Sequence, residues 1–213
     1  MNEQTIDLPC PVCASTGNVK MIAHIDEIPY FGEHTQVTIM CHDCGGRQTD
    51  FIPAEGKKAG GWTMVIEDEE QLRARVVRSS SCTVCIPELD LEVNPGTSST
   101  GYVSNVEGVL NRFQEIINMV ERDLSNQFLT AEGQEREDVM ERLATLQHMT
   151  LTLSNLGGAD ADPITLELLD PHGHSMILHP SAVERDLTEE EIKSLPVGPD
   201  PAVFSTDDVD ESA

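Results

Sequence analysis

The sequence predicts a mainly β protein with a small cysteine-containing unit at its N-terminus and one helical insertion. Two pairs of cysteines flank two short β-prone runs within residues 1–50. Further short β-prone runs recur through residues 51–196, interrupted at about 104–150 by the apolar spacing of two helices. Residues 197–213 are rich in Pro, Asp and Ser and show little periodicity, so we expect a flexible acidic tail there.

Two CxxC pairs in the N-terminal unit have the spacing of a zinc ribbon. Cys10, Cys13, Cys41 and Cys44 are arranged as C-x2-C-x27-C-x2-C, and two glycines follow the second pair. Two such turns can bring four thiolates into the tetrahedral arrangement that zinc takes in structural sites. We therefore expect one structural Zn²⁺ on these four cysteines, with no open coordination position for catalysis.

The segment between the two pairs is predicted to be strand, loop and strand, with strands at 19–25 and 35–40. Its loop contains the adjacent aromatic residues Tyr30 and Phe31. Neighbours on an extended segment face opposite ways, so one ring can pack inward while the other is exposed to bind a partner. Packing alone is the alternative, and the sequence does not separate the two.

The third CxxC pair, Cys82 and Cys85, has a different context. It lies within SSCTVCIPELDLEV, which alternates as a strand does and in which we expect one strand over 83–93. Residues three apart on a strand face opposite sides, so they could not bind one metal without a turn. We expect small packed side chains, with a redox or second metal site as the alternative.

After the N-terminal unit, the sequence predicts both strands and helices. A strand is expected at 62–67, followed by a short helix capped by Asp68 with Leu72, Val76 and Val77 on one side. The helical hairpin is expected over 104–150.

The first hairpin helix is predicted to open with a capping box, Ser104 to Glu107. The second is predicted to run from about Gln134 to Thr150. Most of both apolar stripes should be core, and part could contact a partner.

The last predicted elements are two strands around a turn and a short helix. The strands lie at 164–170 and 175–179, and Asp170-Pro171-His172-Gly173 has the composition of a turn. Thr188 begins a further capping box at the helix start.

The charge balance excludes several classes of partner. Asp and Glu number 38 and Lys and Arg number 13, which gives a net charge of −25. Such a surface repels phosphate, so we expect binding neither to nucleic acid nor to an anionic membrane. With neither a signal peptide nor a long apolar run, the chain is expected to be cytoplasmic. Scarce Lys beside abundant acid favours a halophilic protein over an ordinary acidic one.

An enzyme is the first alternative function. His172-x-His174 with His179 superficially fits a metal-binding motif, but the surrounding residues predict a turn that places His172 at a hairpin tip. The sequence has no phosphate-binding glycine loop and no supported nucleophile set. We therefore expect no enzymatic activity.

The ordered blocks of the sequence resemble the ZPR-type zinc-finger proteins of archaea and eukaryotes. The blocks run from Cys10 to about Pro196 and include CPVC, IPYFGE, CHDCGGR, LRARVVRSSSCTVCIPELDLEV, PGTSSTGYVSNVEGVL, DPHGHSMI and LTEEEIKSL. Eukaryotic members carry two copies of the module, and this chain has one, as archaeal members do. The sequence departs from the family at Cys82 and Cys85, where other residues are usual, and at His174, where Asn is common.

The resemblance implies both a fold and a function. The fold would be a zinc ribbon followed by a cupin-like double-stranded β-helix with an inserted helical hairpin. Eukaryotic members bind translation elongation factor 1-alpha and act as its folding chaperone, so an archaeal elongation factor 1-alpha would be the client here. The alternative is a zinc-ribbon adaptor for another protein partner.

Overall fold

The N-terminal part of the chain is an antiparallel sheet. In the computed structural model, which describes residues 2–6, 9–28, 32–53, 58–96, 99–158 and 161–196, this sheet has four strands in sequence order. They are β1 (Asn2–Ile6), β2 (Val19–Ile28), β3 (Gly32–Cys41) and β4 (Arg47–Pro53). The predicted strands at 19–25 and 35–40 are confirmed, and both extend further. We call β1–β4 the N-terminal sheet.

The described residues from 58 onward form two further antiparallel sheets, which we call the two-sheet domain. One has five strands in the order β12-β5-β10-β7-β8, and the other has three in the order β11-β6-β9. Their bounds are β5 (Gly60–Ile66), β6 (Arg75–Arg78), β7 (Thr83–Ile86), β8 (Leu91–Val93), β9 (Tyr102–Asn105), β10 (Ile164–Asp170), β11 (Met176–Leu178) and β12 (Val183–Asp186). Ile66 and Leu168 of the first sheet and Val76 and Ile177 of the second belong to one buried core.

The helical hairpin is inserted between β9 and β10. It consists of α2 (Val106–Phe128) and α3 (Gly133–Asn155), which confirms the expected pair of helices. The N-cap of α2 is Asn105, whose side chain accepts a hydrogen bond from Gly108 N. The predicted capping box at Ser104 is therefore wrong by one residue, because Ser104 pairs with Val76 as part of β9.

The hairpin is anchored at its base. Val109, Phe113 and Ile117 of α2 lie in the core of the two-sheet domain, as do Leu153 and the following Leu156 at the end of α3. Leu146 and Met149 of α3 pack against that core cluster, and no residue of the first half of α3 does. The distal half of the hairpin therefore extends beyond the core that holds its base. None of the described helices is long and apolar enough to cross a lipid bilayer.

The predicted helix after Asp68 is shorter than expected. Asp68 does cap α1 (Glu69–Leu72), but the chain then enters β6. Val76 and Val77 are adjacent and both fully buried. Adjacent side chains on a strand point to opposite faces of the sheet, and here both faces are buried. Leu72, Val76 and Val77 therefore do not share one side of a helix, and that expectation is wrong.

The predicted single strand over 83–93 is two strands that pair with each other. β7 and β8 are joined by a 3₁₀ turn, Pro87–Leu89, and Val84 pairs with Val93. Pro87 begins the turn, where its fixed φ is favourable, and Asp90 ends it with a left-handed φ of 50°. Apolar and polar residues alternate in the same way in one long strand and in two short ones. The alternation over 83–93 therefore could not distinguish between them.

The turn at Asp170 connects the two sheets. Gly173 N donates to Asp170 O, as the composition predicted. However, β10 pairs with β5 and β7, whereas β11 pairs with β6. The expected hairpin of two paired strands, with His172 at its tip, is therefore wrong. The capping box predicted at Thr188 is confirmed at the start of α4 (Glu189–Ser194).

Candidate metal centre

The four cysteines predicted to bind zinc converge on one point. Their sulfur atoms all lie within 4.8 Å of one another. Cys10 and Cys13 precede β2, Cys41 is the last residue of β3, and Cys44 follows in the turn after it. The sulfurs of Cys10 and Cys44 are 3.7 Å apart, and those of Cys13 and Cys41 are 3.8 Å apart. Four sulfurs placed tetrahedrally at about 2.3 Å from one zinc ion would be separated by about 3.8 Å. The cysteines are thus positioned for one Zn²⁺.

The two CxxC turns have matching backbone hydrogen bonds. Cys10 N donates to Ser15 O and Ala14 N donates to Cys10 O. In the second turn Cys41 N donates to Gly46 O and Gly45 N donates to Cys41 O. The equivalent residues Ala14 and Gly45 both have a positive φ, of 59° and 71°. The sequence indicated the glycine in the second turn but gave no sign that alanine adopts the same conformation in the first.

Hydrogen bonding with Ser15 stabilises the thiolate form of Cys13 and Cys41, whereas the pKa of Cys44 is raised to about 12 despite the hydrogen bond from Gly46 N, because neighbouring sulfurs and burial oppose its thiolate. The Ser15 hydroxyl lies 3.1 Å from Cys13 Sγ and 3.3 Å from Cys41 Sγ. Its hydrogen bonds lower the pKa of Cys13, and lower the pKa of Cys41 to about 6. Val12 N and Gly46 N also donate to sulfur. Zinc binds thiolates, so the contacts of Ser15 favour the ligand form of Cys13 and Cys41.

The core of the N-terminal sheet is small and includes two of the metal ligands. Cys10 and Cys41 are buried together with Val19, Met21 and Val37. Five residues bury too little apolar surface to hold such a unit firmly by themselves. A bound zinc ion would therefore stabilise the fold of this sheet. Four sulfur ligands leave no coordination position for a substrate.

Cys82 and Cys85 lie elsewhere, in the two-sheet domain. Cys82 is fully buried in the main core, and the sulfur of Cys85 lies 3.9 Å from the Glu92 carboxylate. Burial raises the pKa of both thiols, that of Cys85 to about 12. These surroundings suit small packed side chains and disfavour a thiolate.

His172 and His174 lie side by side, with ring centroids 5.8 Å apart. His174 Nδ1 and His179 Nε2 are buried without a hydrogen-bond partner in the described part of the protein. Within those residues, the four cysteines are the group of three or more His, Cys, Asp or Glu side chains that could hold a metal ion. The structure does not bring the three histidines together as such a group.

A buried polar network that the sequence did not reveal joins the N-terminal sheet to the two-sheet domain. Asp50 at β4 accepts hydrogen bonds from Ser80 N and Ser80 Oγ. Gly101 N donates to Thr49 O, which adds a second link. The run of three serines beginning at Ser79 was the only signal in the sequence, and serine runs more often occur in loops.

A second buried carboxylate, that of Asp170, binds the two serines on either side of Ser80. It is 1% exposed and accepts hydrogen bonds from the hydroxyls of Ser79, Ser81 and Ser175. Burial alone would raise the pKa of Asp170, but these bonds and one from His172 N outweigh it, so the pKa is lowered. The hydrogen bonds of Asp170 therefore anchor the turn that begins at this residue inside the two-sheet domain.

The two aromatic residues expected to contact a partner, Tyr30 and Phe31, lie outside the described residues. In the sequence they fall between the end of β2 and the start of β3. The predicted tail, 197–213, also lies outside the described part of the chain.

Comparison with known proteins identifies similar sequences. Residues 70–194 match the family model of the ZPR1 jelly-roll domain, which here spans from α1 to the end of α4. A ZPR1-like protein of Methanocaldococcus jannaschii is 38% identical over 197 residues, which cover 92% of this chain and 91% of that protein. A ZPR1-like protein of Pyrococcus horikoshii is 36% identical over 190 residues, covering 89% and 80%.

A eukaryotic relative is also similar over part of the chain. The zinc finger chaperone zpr1 of Schizosaccharomyces pombe is 34% identical over 122 residues, which cover 53% of this chain and 25% of that protein. The similarity to the two archaeal proteins therefore extends over most of their length, whereas the fission-yeast protein is much longer than the matched region.

Proposed function

Because this chain belongs to the ZPR1 family, we propose that it is a zinc-stabilised chaperone that binds translation elongation factor 1-alpha and assists its folding. The two-sheet domain is the jelly roll of this family, in agreement with the double-stranded β-helix that the resemblance implied. The four-cysteine site supplies the zinc-binding part. The similar fission-yeast protein is named a chaperone, which supports a protein as the partner. The identity of the client and the folding activity are our proposal.

The observation that best supports protein binding is the exposure of large apolar side chains on the hairpin. Leu129, at the turn between α2 and α3, is 79% exposed, and Met119 and Met140 are both more than half exposed. Methionine side chains are flexible and polarizable, so they adapt to varied apolar surfaces, as a chaperone requires.

The hairpin has a second property that fits this function. Its base is packed in the core of the two-sheet domain, whereas its distal half lies outside that core. The distal half can therefore contact or release a client without dismantling the jelly roll. In the proposed arrangement, the ribbon loop with Tyr30 and Phe31 forms a second contact surface, carried by the zinc-stabilised N-terminal sheet.

Release follows from the same contacts. A non-native client exposes apolar surface that the hairpin can cover, and folding buries that surface within the client. The affinity should then fall as the client matures, because the ligand state that binds is depleted. We further propose that the protein acts in the cytoplasm of a halophilic archaeon, on the basis of its acidic composition.

The test is a direct binding measurement with purified elongation factor 1-alpha in molar KCl. The factor is presented in three forms, namely denatured and diluted, folded without nucleotide, and folded with nucleotide. We expect binding to the first two forms and weaker binding to the third. If the wild-type protein binds neither the unfolded nor the nucleotide-free form, the chaperone proposal fails and an adaptor for another protein replaces it.

A further inference from the structure

We propose that a cationic cavity beside the base of the hairpin binds acidic side chains of an extended peptide segment that also carries apolar residues. The cavity has a volume of about 750 Å³ and lies between β7 and β8, the segment before β9 and the first turns of α2. That volume is within the range of about 300–1,000 Å³ that ligand pockets occupy. The inference rests on the proposed function, since it specifies which part of a client would be recognised.

Two arginines meet at this cavity on one tyrosine. Arg78 pairs with Tyr102 across β6 and β9, and its guanidinium lies 5.7 Å from the centre of the tyrosine ring. Arg112, nearly two turns into α2 and exposed, lies over the same ring at 4.0 Å. The chain has only 13 basic residues against 38 acidic ones, so two arginines on one wall form a marked local reversal of charge.

Neither arginine has a carboxylate partner within ion-pair distance in the described part of the protein. Arg78 is 6% exposed, and its guanidinium donates to Ser99 Oγ, Thr100 O and Cys82 O, which are all neutral acceptors. The ion pairs found among the described residues involve neither Arg78 nor Arg112. A buried cation without an anionic partner is unfavourable, so an anion entering the cavity would gain a strong charge-assisted contact.

The rest of the lining indicates what carries the anion. Val93, Phe113 and Ile116 provide an apolar wall, and Ile116 is partly exposed at the side of α2 that continues toward the exposed Met119. Glu115 also lines the cavity, which would disfavour a ligand with several charges close together. A single carboxylate flanked by apolar side chains fits this combination.

Carboxylate is favoured over phosphate by the chemistry of the lining. The planar guanidinium of arginine can hold a carboxylate or a phosphate in two-point contact, but Glu115 in the lining disfavours the higher charge of a phosphate. The Tyr102 ring is already covered by Arg112, so it is not free to stack on a nucleotide base. The general repulsion between an acidic segment and this chain is screened in molar salt, whereas contacts to a buried arginine are screened less. The cavity would thus select acidic segments under the salt conditions that the composition indicates.

The experiment uses two fluorescent peptides and the full chain in molar KCl. The acidic peptide is Ser-Leu-Glu-Leu-Ser and the matched neutral peptide is Ser-Leu-Gln-Leu-Ser, both with blocked termini, and affinities are measured by fluorescence anisotropy. We expect the wild type to bind the acidic peptide about ten-fold more tightly, as a charge-assisted hydrogen bond allows. Arg112→Gln should weaken this preference, because Arg78 is then the only arginine among the described residues that line the cavity. Arg122→Gln, which removes the same charge from an exposed position of the same helix outside the cavity, should retain it.

Several results would overturn the inference. These are equal affinity of the wild type for both peptides, an unchanged preference in Arg112→Gln, or displacement of the acidic peptide by millimolar inorganic phosphate or GTP. The assay contains no elongation factor, so it is independent of the client. Peptide selectivity that depends on Arg112, combined with no binding of elongation factor 1-alpha, would leave this inference standing and overturn only the named client. If the protein binds elongation factor 1-alpha but shows no peptide selectivity that depends on Arg112, the named client stands and this inference fails.

Discussion

The carboxylate of Asp50 accepts hydrogen bonds from both the backbone N–H and the hydroxyl of Ser80, at 2.9 and 2.5 Å. Asp50 belongs to β4 of the N-terminal sheet, and Ser80 lies between β6 and β7 of the jelly roll. Both residues are buried, so water cannot easily replace either partner. The pair therefore fixes the zinc-binding sheet against the domain that carries the hairpin.

Replacing Asp50 with Ala should lower the free energy of unfolding by about 1–3 kcal/mol, because it leaves the buried donors of Ser80 without an acceptor. Chemical denaturation in molar KCl measures this difference. Glu33→Ala, an exposed carboxylate on β3, is the matched control and should change stability by less than about 0.5 kcal/mol. Equal effects of the two substitutions would contradict the role assigned to the Asp50–Ser80 pair.

Replacing Cys41 with Ser should abolish stoichiometric zinc binding, because one of the four sulfur ligands is lost. Elemental analysis of the purified protein gives the zinc content per chain. The jelly roll should keep its fold, since its core is separate from that of the N-terminal sheet. Full retention of zinc would show that the ligand assignment is wrong.

The double substitution Cys82→Ala with Cys85→Ala is the control for the zinc experiment. Both thiols are buried in the two-sheet domain, away from the four-cysteine site, so we expect an unchanged zinc content and unchanged partner binding. Loss of one zinc equivalent from this variant would show that the third CxxC pair binds metal after all.

The matching CxxC turns predict opposite effects for two small substitutions. Ala14 has a left-handed backbone, so Ala14→Gly should relieve strain and stabilise the metal-bound sheet by about 0.5–1 kcal/mol. Gly45→Ala should cost about 1 kcal/mol, through the backbone alone, since an added Cβ would meet nothing within 4 Å. Zinc release to a competing chelator measures both changes, because folding of this sheet is coupled to metal binding. Changes of the same sign would refute the equivalence of the two turns.

The melting temperature should rise with KCl concentration toward molar levels. A net charge of −25 repels itself in dilute buffer, and at about 1 M salt the Debye length falls to about 3 Å. Thermal unfolding followed by circular dichroism over a KCl series measures the effect. A flat response would count against adaptation to a salty cytoplasm.

The double substitution Tyr30→Ala with Phe31→Ala should weaken co-purification of elongation factor 1-alpha. Aromatic anchors at interfaces commonly contribute about 2 kcal/mol or more each. Zinc content and melting temperature should stay near those of the wild type, which separates lost contact from lost folding. If the variant binds the factor normally, the client proposal survives and these two residues only pack.

The sequence was sufficient for most features that depend on neighbouring residues. The two CxxC pairs fix short turns, so their spacing predicted the four-cysteine site, and the β-prone runs at 19–25 and 35–40 predicted the strands between them. The apolar repeat from Val106 to Leu124 predicted α2, because helical periodicity is a local property. The block resemblance predicted the jelly roll, although composition and periodicity alone gave only a mainly β domain.

Tertiary structure decided the features that join distant residues. Val76 and Val77 became a strand because β9 and β11 pair with it on both sides, and no local signal opposed a helix there. Ser80 meets Asp50 across 30 positions of sequence, and Arg112 meets Tyr102 only because α2 folds back over β9. Such contacts depend on which buried surfaces pack together, and the hydrophobic pattern specifies that a surface is buried without specifying its partner.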